Sequence, residues 1–335
     1  MVSCHRGRGG RRFCDHGLRT TDHGRLTVQI RILGSAAGGG VPQWNCRCCN
    51  CTAARAGSAD VRPRTQSSVA LSADGRAWFL LNVSPDVRQQ ILTFPPLGPA
   101  DDTAGRGTAI VGCVLTDAEL DHTAGLLLLR EGGRFSIHCT TTVRRWLNRC
   151  LPIEPILACF SNPQWSDLPL DAPLDLCLPD GGKSGLRVQA FEVDRHVPRF
   201  VKEELVSEVG SVIGLDVDDT RTGGRLVYAP CLASLGGSLE RAARQADCLL
   251  IDGTFWEDEE PIRCGIGPRT ARAMGHLPVS GPEGSLNWLS ELNVQHRVYI
   301  HINNTNPMLN ESGPEHRLVI GRGVRVGADG DSLAL

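Results

Sequence analysis

The sequence has no uninterrupted apolar run approaching the roughly 20 residues that a membrane-spanning helix needs, so no bilayer span is expected. It has no basic excess: 35 Lys and Arg against 37 Asp and Glu leave a formal net charge of -2. That excludes the positive field on which phosphate-neutralising nucleic-acid binding rests. The first 25 residues carry six Arg and several Gly but no apolar h-region, so they are not expected to act as a secretory signal. It shows no internal repeat or low-complexity stretch, which removes solenoids and linker-joined arrays. What remains is a chain of 335 residues, 41% hydrophobic and 21% charged. Such a chain buries a core without staples and is expected to be soluble and cytoplasmic.

The 14 cysteines stand mostly alone on apolar segments, such as Gly112-Cys113-Val114-Leu115 and Asp247-Cys248-Leu249-Leu250. That is the setting of core thiols in a reducing compartment. The basic stretch 1–25 reads as a disordered extension rather than a metal site, although Cys4, His5, Cys14, His16 and His23 fall in it. Residues 26–335 read as a single domain.

From Thr27 the pattern changes. Thr27–Leu33 alternates as a strand and runs into the loop Gly34–Gly40. Ser67–Ser72 and Arg76–Asn82 flank Asp74-Gly75, a hairpin signal. Further strands are expected at Ile110–Leu115, Phe135–Cys139, Leu186–Val193, Val212–Val217, Leu226–Ala229, Cys248–Asp252, Val298–Ile302 and Gly323–Gly327. Helices are expected at Ser84–Leu92, His122–Glu131, Thr141–Arg149, Leu239–Ala246 and Gly284–Leu292, with Asp171–Ser184 as a surface connection. Hairpins followed by alternating strands and helices fit an α/β sandwich of packed layers.

Two segments carry chemistry. Cys46, Cys48 and Cys51 form a C-x-C-x-x-C group in a polar loop; three thiolates so close suit a closed tetrahedral Zn2+ site that needs one further ligand. Cys49 is either a substitute ligand or a bystander. In Leu115–Gly125 a strand gives way to a Leu-rich helix, and Asp117, Glu119, Asp121 and His122 gather at the junction. Their crowding fits a bound cation, and an acidic helix-capping loop fits equally well. Further along, Asp252 and His301 each end an apolar strand, and His276 precedes a Pro/Gly-rich loop.

Those spaced elements resemble the metallo-β-lactamase-like enzymes, which present H-x-H-x-D-H after a strand and then an Asp and a His on later strand ends. Here the first motif reads Asp117-Ala118-Glu119-Leu120-Asp121-His122, so both leading histidines are replaced by acids. The resemblance implies an αββα four-layer sandwich with one working metal, held by Asp121, His122, Asp252 and His301. More specifically, several segments together resemble the pyrroloquinoline quinone biosynthesis protein B family. They are the Gly34–Gly40 loop, Pro42–Cys48, Arg64–Ser68, Asn82–Gln90, Arg269-Thr270 with Gly275-His276, and His301–Pro307. A related branch, the phosphodiesterases of phosphonate breakdown, completes its zinc with a His three positions after the last catalytic His. That position is Asn304 here, which implies a structural zinc held by Cys46, Cys48, Cys51 and Asn304.

What the family resemblance implies is Fe2+-dependent hydroxylation, with O2, of the tyrosine-derived ring of a crosslinked Glu–Tyr precursor, in concert with other proteins of the pathway. Glu119 and His276 are then the residues for proton transfer or orientation near the metal. Two other readings are a non-catalytic carrier that aids export of the quinone or its precursor to the periplasm, and a zinc-dependent hydrolase. Arg64, Arg88 and Arg269 match substrate carboxylates in chemistry, although surface or structural salt bridges suit them as well.

Overall fold

The computed structural model describes residues 27–99, 105–201 and 208–335; the 1–25 extension, with its Cys and His residues, lies outside them. Among the described residues fourteen strands form two seven-stranded sheets. The first contains β1 (Gln29–Gly34), β2 (Ser68–Ser72), β3 (Trp78–Leu81), β4 (Ile110–Val114), β5 (Ser136–Cys139) and β6 (Gln164–Asp167) in sequence order. The second contains β7 (Pro173–Cys177), β8 (Lys183–Asp194), β9 (Val212–Asp219), β10 (Arg225–Ala229), β11 (Cys248–Asp252), β12 (His296–Ile300) and β13 (Arg325–Val326). The last strand, β14 (Ser332–Ala334), returns to the first sheet and pairs with β1. In each sheet an antiparallel stretch gives way to a parallel one, at β3–β4 and at β10–β11.

Alternation explains the layering. On β1, Ile30 and Ile32 point inward and are buried while Gln29 and Arg31 are half-buried. They join Val69, Leu71, Phe79, Leu215, Leu250 and Ile300 in the core between the sheets. The outer face of the first sheet packs on helices α4 (Thr141–Arg149) and α5 (Ile153–Ala158) through Trp146, Leu147 and Leu157. The outer face of the second packs on α6 (Gly237–Ala243), α8 (Ser285–Glu291) and α9 (Pro314–Gly321) through Leu239, Leu286 and Val319. Three cores between four layers make the expected αββα sandwich. The Asp74-Gly75 hairpin forms between β2 and β3, with Gly75 at φ +72° where a side chain would be strained.

Three expectations are corrected. The helix expected at His122–Glu131 is a single turn, α3 (Leu120–Thr123), followed by 3-10 turns over Ala124–Leu129. Backbone partners are diverted there: Val83 N donates to His122 O and Gly125 N to Val83 O, while a Cβ on Gly125 would lie 2.0 Å from Ser84 O. The supposed connection Asp171–Ser184 contains edge strand β7, whose Pro/Gly/Asp-rich composition hid the buried Leu176. The strand expected at Gly323–Gly327 shortens to Arg325–Val326.

Candidate metal centre and cysteine knuckle

The parallel strands set the site. β10, β11 and β12 run side by side in the same direction, so their C-terminal ends share one edge, and Cys231, Asp252 and His301 stand there. The first sheet meets that edge where Ile213 N donates to Thr116 O and Asn82 Nδ2 approaches the Tyr228 hydroxyl at 3.3 Å. A cleft of about 450 Å³ opens between them, and Glu119, Asp121, His122, Cys231, His276 and His301 all line it.

Beyond β4, Asp117 binds the start of α3. Its Oδ1 accepts from Glu119 N at 2.9 Å, and its Oδ2 from the Thr116 hydroxyl at 2.8 Å. Both oxygens also face His122 Nδ1, at 2.9 and 2.8 Å. A carboxylate only accepts, so Nδ1 carries a proton, and Nε2 is the nitrogen that presents a lone pair once the ring gives up its second proton. That Nε2 is buried and has no hydrogen-bond partner. Asp121 Oδ2 lies 4.0 Å from it and 3.2 Å from His301 Nε2. The chain opposite comes close because residue 38 is glycine: a Cβ there would sit 3.2 Å from Asp121 Oδ2. Burial pushes the Glu119 carboxyl up to about 7, helped by Asp117 and Asp121. Burial opposes the charged form of His122, but Asp117 and Asp121 outweigh it and raise the imidazole to about 9.

His301 follows β12 at φ +54°, an uncommon conformation for a non-glycine residue and one that turns the chain off the strand. Its Nδ1 is 2.7 Å from the Thr254 hydroxyl, and that hydroxyl is 2.6 Å from Asp252 Oδ1. If the single hydroxyl proton goes to the carboxylate, the oxygen accepts from Nδ1–H, and His301 Nε2 is the free nitrogen facing Asp121. Asp252 is heavily committed. Oδ1 accepts from Thr254 N and its hydroxyl, and Oδ2 from Leu232 N and His276 Nδ1 at 2.9 and 2.8 Å. The His276 ring stacks on that of His301 with centroids 5.4 Å apart. Burial opposes protonation of His276, and Asp252 wins, raising it above the ordinary histidine value. Ligand atoms of Asp252, His276 and His301 lie within 4.8 Å of one another, as do those of His122, Cys231 and His301.

The second cluster is built around α1 (Cys49–Arg55). The Sγ atoms of Cys46, Cys48 and Cys51 converge within 4.8 Å. Backbone amides of Cys48, Cys51 and Gln43 point at the three sulfurs at 3.3–3.4 Å; such donors outweigh burial and hold the Cys46 thiol below its ordinary value, whereas burial pushes that of Cys48 up to about 12. Asn304 closes the group: its Nδ2 lies 3.0, 3.4 and 3.3 Å from the sulfurs of Cys46, Cys48 and Cys51, and its Oδ1 is buried without a partner. Cys49 is exposed and is not one of the three sulfurs that converge.

The ten residues expected to hold or serve the two metals therefore fall into two clusters. Asp117, one of the four crowded groups expected at that junction, stands behind His122 as its partner; the structure adds Thr254, the partner of His301, and Cys231, which looks from sequence like one more solitary thiol. The only signal for Cys231 was its place directly after an apolar strand and Pro230. Arg64 is buried and structural, bonded to the Ser35 hydroxyl at 3.0 Å and to Gly327 O. Arg269 lines the cleft with Arg199.

Comparison with known proteins gives consistent results. The beta-lactamase superfamily domain matches residues 77–302. The coenzyme PQQ synthesis protein B of Pseudomonas putida (strain GB-1) is 45% identical over 311 residues, spanning 92% of this chain and 100% of the relative. That of Azoarcus sp. (strain BH72) is 44% identical over 310 residues, with the same coverage. The crystal structure of Zn(2+)-bound PqqB from Methylobacterium extorquens superposes with a TM-score of 0.83 at 39% identity, covering 92% of this chain and all of that one. A diphosphatase from the PhnP family shares the fold, with a TM-score of 0.63 at 18% identity.

Proposed function

The chain belongs to the coenzyme PQQ synthesis protein B family, and from that premise we propose that it acts in pyrroloquinoline quinone biosynthesis as an iron-dependent hydroxylase of the tyrosine-derived ring. Residues 26–335 act as one domain in this reading, in keeping with the pairing of β14 on β1. The observation that carries the metal assignment is the buried, unpartnered Nε2 of His122, oriented from behind by Asp117. With His301 Nε2 and Asp121 Oδ2 it makes a two-histidine, one-carboxylate set, a donor set that suits non-haem Fe2+. Bound there, Fe2+ would supply the activation of O2.

The remaining work falls to the chain's own side chains. Asp252 would have to release one of four donors to bind metal directly, so we place it behind the ligands, holding His276 and, through Thr254, His301. His276 has Nδ1 occupied by Asp252 and its other nitrogen free for a proton in the cleft. Glu119, which lines the same cleft, is the second proton-transfer group. Arg199 and Arg269 offer guanidinium forks to the carboxylates of a crosslinked Glu–Tyr precursor. The cleft volume, about 450 Å³, suits a ligand of that size.

A two-zinc hydrolase would need a first metal position. The residue that opens the motif, Asp117, instead spends both oxygens on His122 and neighbouring donors. A pure carrier would have no need of a desolvated imidazole nitrogen kept free of partners. We assign structural Zn2+ to Cys46, Cys48, Cys51 and Asn304: turning the Asn304 amide by half a turn brings its orphaned oxygen to the three sulfurs. Free thiols throughout the described residues accord with a cytoplasmic setting, and no described helix is long and apolar enough to cross a membrane.

The test is anaerobic purification, reconstitution with Fe2+, and addition of a crosslinked Glu–Tyr substrate and O2 with mass detection. One exchangeable iron beside retained zinc, and ring-inserted oxygen, is the expected result. Binding of substrate without oxygen insertion overturns the hydroxylase in favour of the carrier, and hydrolysis of a phosphodiester by a two-zinc form overturns it in favour of the hydrolase.

A further inference from the structure

We propose that a second cavity, behind the loop that bounds the metal cleft, binds a zwitterion of dipeptide size, with Arg31 on its carboxylate and Asp86 on its ammonium. The inference stands independently of the metal assigned to the cleft.

The cavity has a volume of about 500 Å³ and lies between the Gly34–Gly40 loop, helix α2 (Val87–Thr93) and the turn at Asp329-Gly330. That is within the size range of small-ligand sites. It shares no lining residue with the cleft. The loop divides the two: Ala37, Gly38 and Gln43 line the cleft, and Gly39, Gly40, Val41 and Pro42 line the cavity.

Four charged side chains line the cavity, and two of them are spent. Asp329 accepts from the backbone N and hydroxyl of Ser35 on Oδ1 and from those of Thr65 on Oδ2. Arg64 is buried and donates to the Ser35 hydroxyl and to Gly327 O. Together they hold the floor in place, which leaves Arg31 and Asp86 for a ligand. Arg31 is half-buried on the outer face of β1, its guanidinium 4.9 Å from the centroid of the Phe94 ring, and its Nη1 donates to Ser332 Oγ at 2.8 Å. A guanidinium has five N–H donors, so most of its capacity remains for a carboxylate, whose paired oxygens match the fork. Asp86 Oδ2 accepts from the backbone N and side-chain amide of Gln66 at 2.9 and 3.0 Å. Its Oδ1 accepts from no described residue, which suits a three-donor ammonium.

Spacing sets the size. Asp86 precedes α2 and Phe94 follows it, so at about 1.5 Å per residue the carboxylate and the ring beneath Arg31 stand roughly 12 Å apart. Two extended residues of about 3.5 Å each, with a hydrogen bond of about 2.8 Å at either end, reach that far. Val41, Pro42, Pro63 and Phe94 give the stretch between the charges an apolar lining for side chains. A ligand of one charge would satisfy one end and desolvate the other without a partner. A molecule with both charges satisfies both.

The test is calorimetric titration of the full, zinc-loaded chain with alanyl-phenylalanine, its N-acetyl derivative and its C-terminal amide. Wild type, Arg31→Gln, Asp86→Asn and Arg269→Gln are compared, and thermal melts establish that the variants are folded. The expected result is binding of the free dipeptide to wild type at one site, weakened about tenfold or more in Arg31→Gln and in Asp86→Asn and unchanged in Arg269→Gln, whose side chain lies in the metal cleft. The acetylated peptide should bind wild type and Asp86→Asn alike, and the amide should bind wild type and Arg31→Gln alike, because each lacks the charge that the substituted side chain would meet. Absence of binding to wild type overturns the proposal, as does binding that both Arg31→Gln and Asp86→Asn leave intact. Binding abolished by Arg269→Gln alone places the peptide in the metal cleft and overturns it equally.

Discussion

Asp117 and His122 are bound to each other at 2.8 Å while the far nitrogen of His122, buried, has no hydrogen-bond partner. The carboxylate sits where the fold's two-metal enzymes carry a histidine, so in the proposed site that position orients a ligand for the one metal rather than holding a second.

That relationship predicts the behaviour of Asp117→Asn. The amide keeps the size of the side chain but removes the charge that fixes the tautomer. Fe2+ or Co2+ affinity should fall by about 10- to 100-fold with the fold retained, measured by competition with a metal chelator and checked by melting of the zinc-loaded protein. Unchanged affinity would mean that His122 does not depend on Asp117 for its orientation.

His301→Ala and Asp121→Ala each remove a donor from the cleft and should abolish ring oxidation without unfolding the chain. Both side chains lie at the cleft, not in any of the three apolar cores. Turnover by mass detection, with the circular dichroism spectrum as control, is the measurement. Full activity in His301→Ala would remove the site assignment.

Much of this was legible in the chain. The strands of the central sheets declared themselves because Val, Ile and Leu alternate or run together there, and Cys248–Asp252 was read to the residue. Short helices and edge strands did not: α5 is six residues long with Pro155 inside it, β6 holds Trp165 as its one apolar residue, and β7 hides Leu176 among Pro and Asp. In the site, ligand types at strand ends could be read, but their ranking could not. Asp252 is a strand-end carboxylate like any ligand, and only the geometry reveals four donors on it. The pairing of Thr254 with His301 joins residues 47 positions apart, a contact that no local pattern announces.

The cysteine knuckle should behave as a structural element. Its thiolates tie the loop before β2 to the turn after β12 through Asn304, and Asn50 Nδ2 donates to Asn304 O and Asn306 O at 3.0 and 2.8 Å. Cys48→Ala should release zinc and lower Tm by on the order of 5–10 °C, and chelation of the wild type should do the same. Asn304→Ala should weaken zinc retention less than Cys48→Ala, since three thiolates remain. Zinc content by mass spectrometry alongside calorimetry separates the two effects; a Cys48→Ala protein with full zinc and unchanged Tm would reject the site.

A last prediction concerns pH and lies away from both metal sites. His138 on β5 is buried, its Nε2 lies 2.8 Å from the Ser136 hydroxyl, and its Nδ1 has no partner. Burial alone lowers its pKa to about 4 from the ordinary 6.5. Above pH 6.5 the ring is neutral in both folded and unfolded chains and its titration contributes nothing to pH dependence. As pH falls from 6.5 toward 4 the unfolded chain takes up the proton and the folded one does not, so stability is lost through that window and the loss levels off below it. The full loss is on the order of 3 kcal/mol. His138→Gln cannot titrate, and the amide can still reach Ser136. Denaturant melts of both proteins at pH 7.0, 5.5 and 4.5, values chosen at about, within and near the foot of the window, should show the wild type losing stability relative to the variant. Metal loss in acid is common to both and cancels in the difference; parallel pH profiles would show that His138 protonates without opening the fold.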